Sequence, residues 1–137
     1  MTGLMVCLAV LAAAGAFGLV HQRRNGRVRV RTKDGQERLT AAEIGGPLGA
    51  RATLVQFSSA FCAPCRATRR TLEEIAAMVD GVAHVEIDAE AHLDLVRRLA
   101  ILKTPTVLVL DASGSVVRRA AGQPRKADVI AALGAAV

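Results

Sequence analysis

The sequence has no tryptophan and no tyrosine, and only three phenylalanines among 137 residues. This excludes the stacked aromatic platforms on which many proteins hold single-stranded nucleic acid. Any core must be assembled from Val, Leu, Ile and Ala, and at 52% hydrophobic residues there is material for one. Cysteine is just as scarce: Cys7, Cys62 and Cys65 are too few for the paired cysteines of a structural zinc site. His21, His84 and His92 form no ligand-spaced pair, so no metal is expected. The first 22 residues carry no charged side chain at all.

What is present is unevenly spread. The formal net charge is +6, yet residues 1–38 hold seven Lys/Arg against Asp34 and Glu37, which leaves the remainder near neutral. The basicity therefore belongs to one short stretch, Arg23 to Arg38, and no nucleic-acid partner is expected. That stretch follows an apolar run from Gly3 to Val20. As a helix the run reaches about 27 Å, enough for a bilayer core. Two readings stand. Ala12-Ala13-Ala14 and Ala14-Gly15-Ala16 look like cleavage sites of a secretory signal, but no Lys or Arg precedes the run. The missing positive n-region favours a retained anchor. Because basic residues beside a span tend to stay in the cytoplasm, this anchor predicts a cytoplasmic domain, with an extracytoplasmic one as the alternative. Arg23 to Arg31 are also suited to anionic lipid headgroups.

Beyond the anchor the patterning alternates between strands and helices. Arg27 to Arg31 alternate as an edge strand would, and Lys33-Asp34-Gly35-Gln36 reads as a turn. Thr40 and Glu43 have capping-box spacing ahead of a short helix stopped at Gly45-Gly46-Pro47. Strands are predicted at 52–57, 82–87, 106–110 and 115–121. Helices are predicted from Pro64 to Val79, around Leu93, Val96, Leu99 and Ala100, and over 126–136 with Val129, Ile130 and Leu133 facing the core. The order describes a central mixed sheet flanked by helices, an α/β sandwich preceded by one transmembrane helix.

Cys62-Ala63-Pro64-Cys65 falls between a buried strand and an amphipathic helix. Unpaired N–H groups and the dipole at a helix start favour a thiolate, and Pro64 fits the first turn. Two cysteines at this spacing can close a small disulfide ring. Dithiol–disulfide exchange is the chemistry best served, ahead of a fixed structural disulfide. Arg66, Arg69 and Arg70 oppose the dipole of that helix, which suits either a thiolate, an acidic partner or simple solvation.

Phe57-Ser58-Ser59-Ala60-Phe61-Cys62-Ala63-Pro64-Cys65, together with Thr104-Pro105 opening a buried strand, resembles the thioredoxin family. Val85-Glu86-Ile87-Asp88 resembles its third strand, and Gly122 the glycine after its hairpin; the likeness runs from about residue 27 to the end. It implies a thioredoxin-like three-layer sandwich and a thiol–disulfide oxidoreductase needing no cofactor beyond the Cys62–Cys65 pair. By the same resemblance Cys62 would attack a partner disulfide and Cys65 would resolve the mixed disulfide. Phe61, Ala63, Pro64, Thr104, Pro105 and Gly122 would contact the bound peptide. Phe61 and Ser58 stand where tryptophans are frequent, Ala63 replaces the usual glycine, and Arg70 a helix-kinking proline. Gln56 stands where many relatives bury an aspartate beneath the second cysteine. An amide cannot act as a base at neutral pH. That leaves Gln56 and the nearby His84 as candidates for a proton relay.

The expected organisation is an anchor at 1–22, a basic juxtamembrane segment with the first strand at 23–38, and the rest of the domain at 39–137. Protein disulfides or dithiols, an upstream electron donor and a monomeric catalytic domain complete the expectation, with reduction favoured over oxidation. The alternative is a binding module that tethers a partner at the membrane with little turnover.

Overall fold

The computed structural model describes residues 1–29 and 37–137. Val30-Arg31 of the alternating stretch and the turn expected at Lys33 to Gln36 lie outside the described residues. The chain opens with helix α1 (Thr2–Arg24), none of whose residues is buried. This helix is long and apolar enough to cross a membrane. Strand β1 (Val28–Arg29) follows, then α2 (Ala41–Ile44), β2 (Ala52–Ser58), α3 (Ala63–Met78) and β3 (Val82–Asp88). The last elements are α4 (Leu93–Arg98), β4 (Thr106–Asp111), β5 (Val116–Ala121) and α5 (Lys126–Ala136).

The strands form one mixed sheet in the order β1-β5-β4-β2-β3. β2 runs parallel to β3 and antiparallel to β4, and β5 is antiparallel to both β4 and β1. Every residue of β2 is buried, as its apolar sequence and central position require. Side chains alternate between the two faces of a strand, so β2 feeds two cores. Val55 and Phe57 join Leu39, Ile44, Ile87, Leu95, Leu99 and Leu108 on one face. Ala52 and Leu54 join Leu72, Ile75, Val107, Val109, Val129 and Leu133 on the other, beneath α3 and α5. The same alternation puts Gln56 on the α3 face. This is the mixed α/β sandwich expected from the patterning.

Local signals explain the element ends. Glu43 N–H donates to the Thr40 hydroxyl while Thr40 N–H donates to the Glu43 carboxylate, closing the capping box of α2. Arg98 reaches back from α4 to the same carboxylate at 2.6 Å. α3 starts with Cys62 as N-cap and Pro64 in its first turn, and gives way at Val79 before Gly81 at φ +80°.

Two expectations are corrected. Ile130 does not face the core: it is 44% exposed, and α5 instead buries Ala132 beside Val129 and Leu133. At 100° per residue, positions 129, 132 and 133 share one face of α5, and position 130 lies about 100° beyond it, towards solvent. Ala100 likewise falls outside the helix expected around it. α4 ends at Arg98, and Ala100 takes the left-handed conformation, φ 51°, that turns the chain towards β4.

Candidate active site

The carboxyl end of β2 and the amino end of β4 meet at one edge of the sheet, where Phe57 pairs with Thr106. Beyond β2 the chain runs through Ser59, Ala60 and Phe61 into α3. Phe61 adopts φ 57° and its ring is fully exposed. A positive φ is uncommon for a residue with a Cβ, and here it turns the chain so that Cys62 caps the helix. Cys62 and Cys65 are joined in a disulfide with 5.2 Å between Cα atoms. Their surroundings differ. Cys65 is buried at 3% exposure, whereas Cys62 is half-buried. The Cys65 N–H donates to Cys62 Sγ at 3.2 Å. This donor and the positive end of the α3 dipole are aimed at Cys62 Sγ, an arrangement that favours a thiolate there.

The resembled residues group around this pair. The Thr104–Pro105 peptide is cis. Thr104 Oγ1 lies 2.7 Å from Ser59 Oγ, a hydrogen bond that ties the Pro105 loop to the loop before Cys62. Gly122 donates its N–H to the Pro105 carbonyl at 2.7 Å and sits at φ +96°. A side chain there would collide with the Asn25 amide, 2.2 Å from a Cβ position. Ala63 and Pro64 are exposed on the first turn of α3. Among the charged residues near the motif, Arg69 pairs with Glu86 at 3.4 Å, while Arg66 and Arg70 are exposed.

Gln56 lies beneath the motif and is fully buried. Its Nε2 donates to the Cys65 carbonyl at 2.8 Å and to Ser58 Oγ at 2.9 Å. With the nitrogen so committed, Oε1 accepts from His84 Nε2 at 3.2 Å. His84, on β3, is part-buried. Burial is the largest influence on it and pushes its pKa below the ordinary value, against the opposing pull of Glu73 and Glu86. The imidazole is therefore neutral at pH 7, and His84, Gln56 and the Cys65 main chain form one hydrogen-bonded line. The structure thus brings together both relay candidates, both cysteines and the Pro105 loop.

The patterning missed Ser59, whose bond to Thr104 clips the two active-site loops, and Asn25 and Gly26, which pack against Gly122. Only contacts between distant segments reveal them. Among the described residues no group of His, Cys, Asp and Glu could hold a metal ion.

The thioredoxin family profile matches residues 46–135. A thioredoxin of Mycolicibacterium smegmatis is 32% identical over 80 residues, covering 56% of this chain and 70% of the relative. Among solved structures, thioredoxin f from spinach chloroplast (short form) superposes with a TM-score of 0.57 at 25% identity, over 64% of this chain and 78% of that one. A mutant thioredoxin from Halobacterium salinarum gives a TM-score of 0.58 at 19% identity, over 63% and 74%. The profile match over most of the domain, the relative's identity and the disulfide-bonded cysteine pair at the start of α3 place this chain in the thioredoxin family, as a thiol–disulfide oxidoreductase.

Proposed function

We propose that the protein is held in the membrane by α1 and reduces disulfides in protein partners through Cys62 and Cys65. The observation that carries this reading is the asymmetry of the pair: Cys62 is half-buried and receives the Cys65 N–H, whereas Cys65 is buried. Cys62 attacks as thiolate and forms a mixed disulfide with the partner. Cys65 then displaces the partner sulfur, the Cys62–Cys65 disulfide closes, and two electrons have passed to the substrate, which leaves as a dithiol. An upstream donor resets the pair. The Thr104–Pro105 loop and Gly122 hold the substrate backbone in strand-like fashion, with Phe61, Ala63 and Pro64 as the exposed rim.

The anchor occupies residues 1–22, the basic segment and first strand 23–38, and the remainder of the domain 39–137. The domain works as a monomer. Arg23 to Arg31 rest on anionic headgroups, and the same charges hold the domain on the cytoplasmic side. A tethering module with little turnover is the second reading. It is favoured by Gln56, which supplies no base, and by the reduced aromatic surface at Phe61 and Ser58.

Turnover separates the two. The full chain in detergent, given a protein disulfide and a dithiol reductant, is expected to turn over many times. Cys62→Ser should abolish exchange, and Cys65→Ser should accumulate mixed disulfides through Cys62. Equal trapping by both single variants would sink the assignment of Cys62 as nucleophile, and binding without turnover would favour the tether.

A second expectation concerns Gln56. A buried thiol resolves a mixed disulfide only as its thiolate, and burial disfavours the charged form. Gln56→Asp supplies a proton acceptor on the α3 face, and general-base help is worth about 10²–10⁴-fold where geometry is ideal. Release of a Cys62 mixed disulfide should accelerate near neutral pH and depend less steeply on pH. The variant should also lose stability, because Ser58 and the Cys65 carbonyl lose their donor. Superimposable pH–rate profiles would show that Gln56 has no bearing on the resolving thiol.

The orientation is checked by fusing a protein that fluoresces only in the cytoplasm after Val137. A bright fusion is expected; a dark one, with an active external reporter, would put the domain on the other side.

A further inference from the structure

The sheet register fixes where the anchor enters the domain. β1 pairs with β5 through Val28↔Ala120, and Ala121 pairs with Thr106, which in turn pairs with Phe57. The amino end of β1 is therefore at the same edge of the sheet as the loops carrying Cys62 and Pro105. In the strand order β1-β5-β4-β2, three steps of about 4.8 Å separate β1 from β2, or about 14 Å across the sheet.

The connection is short and fixed. α1 ends at Arg24 and β1 begins at Val28, so Asn25, Gly26 and Arg27 alone join them. Three residues reach about 10 Å at most. They are also pinned. Asn25 N–H donates to the His21 carbonyl at the end of α1, and Gly26 N–H donates to the Ala121 carbonyl at 2.8 Å. Lys103, two residues before Pro105, hydrogen-bonds the Asn25 amide. Gly26 sits at φ +74°, and a Cβ there would lie 1.9 Å from the Gln123 carbonyl, so only glycine fits.

The surface at this edge suits a headgroup layer. Arg24, Arg27, Arg29, Lys103 and Arg119 line a cleft of about 210 Å³. Arg29 lies directly opposite Arg119 in the β1–β5 register, and Arg119 Nη1 donates to the Leu99 carbonyl at 2.7 Å. Two large apolar side chains on the active-site loops, Phe61 and Leu102, are 103% and 91% exposed.

From the register, the pinned junction and the cationic cleft, we infer that the dithiol faces the bilayer and acts on disulfides close to the membrane surface in other membrane-anchored proteins. This rests on the membrane-bound oxidoreductase reading above. The two electrons pass from the Cys62–Cys65 dithiol to the partner disulfide, so one turnover of the pre-reduced protein needs no further reductant. A disulfide held far above the bilayer lies on the wrong side of the domain, away from the edge that carries Cys62.

The test uses the pre-reduced full chain in vesicles of phosphatidylcholine and phosphatidylglycerol. Two single-span peptides carry the same disulfide loop, one a few residues from the span and one above a rigid helical spacer of about 30 Å. The near loop should be reduced at least about tenfold faster, as expected when both partners are confined to one surface. Inserting a helical spacer of equal length between Arg24 and Asn25 should reverse the preference. Oxidised glutathione should be reduced at the same rate by both proteins. Equal rates on the two peptides, or reduction of glutathione but neither peptide, would overturn the inference while leaving the oxidoreductase reading intact. Failure of the chain to float with the vesicles would overturn the membrane reading and the inference with it. Failure to reduce glutathione as well as the peptides would overturn the chemistry on which both depend.

Discussion

The carboxamide of Gln56 joins the three parts of the structure on which everything else depends. It grows from the fully buried central strand, grips the main chain of Cys65 in the first turn of α3, and is itself held by His84 on the neighbouring strand. An unpaired amide at that depth would cost on the order of 1–3 kcal/mol, so each of these bonds is needed where it stands. Together they set the start of α3 over the end of the sheet. From that position the Cys65 N–H reaches Cys62 Sγ, and the two sulfurs acquire different surroundings although they are three residues apart. The interaction is neutral throughout, because His84 is uncharged and Gln56 cannot ionise. It positions the redox pair without supplying a base.

Most of the fold was legible in the residues because local and global signals agree. Apolar strands of the right length, a capping box at Thr40 and Glu43, Pro64 in the first turn of α3 and Gly81 after its end all lie where the structure uses them. The cysteine pair and Thr104-Pro105 were visible as a pair, and the Ser59–Thr104 hydrogen bond ties their loops together. The failures have local causes. Ile130 and Val129 are adjacent and equally apolar, so hydrophobicity could not decide which one a helix buries. Ala100 is a good helix former that the chain nonetheless uses to turn, and its φ depends on the path into β4. The bonds from Ser59 to Thr104 and from Gly26 to Ala121 join segments far apart in sequence, which no pattern of residue types announces.

The basic stretch acquires a second meaning from the fold. In the sequence it is a run of arginines after an apolar segment. In the structure part of that run lies at the edge of the sheet that also carries the active-site loops, with Lys103 and Arg119 contributed by distant elements. The same short junction that ends α1 closes over Gly122 beside the Pro105 loop. The end of α1, the basic cleft and the active-site loops therefore share one end of the sheet.

Two chemically identical thiols are made unequal by one helix start and one buried amide. Reaction of the reduced full chain with a small alkylating agent at neutral pH, followed by mass spectrometry of the cysteine peptides over time, tests it most directly. Cys62 should be modified at least about tenfold faster than Cys65, because Cys65 is buried and Cys62 receives the helix-start donor. Equal rates, or earlier modification of Cys65, would contradict it.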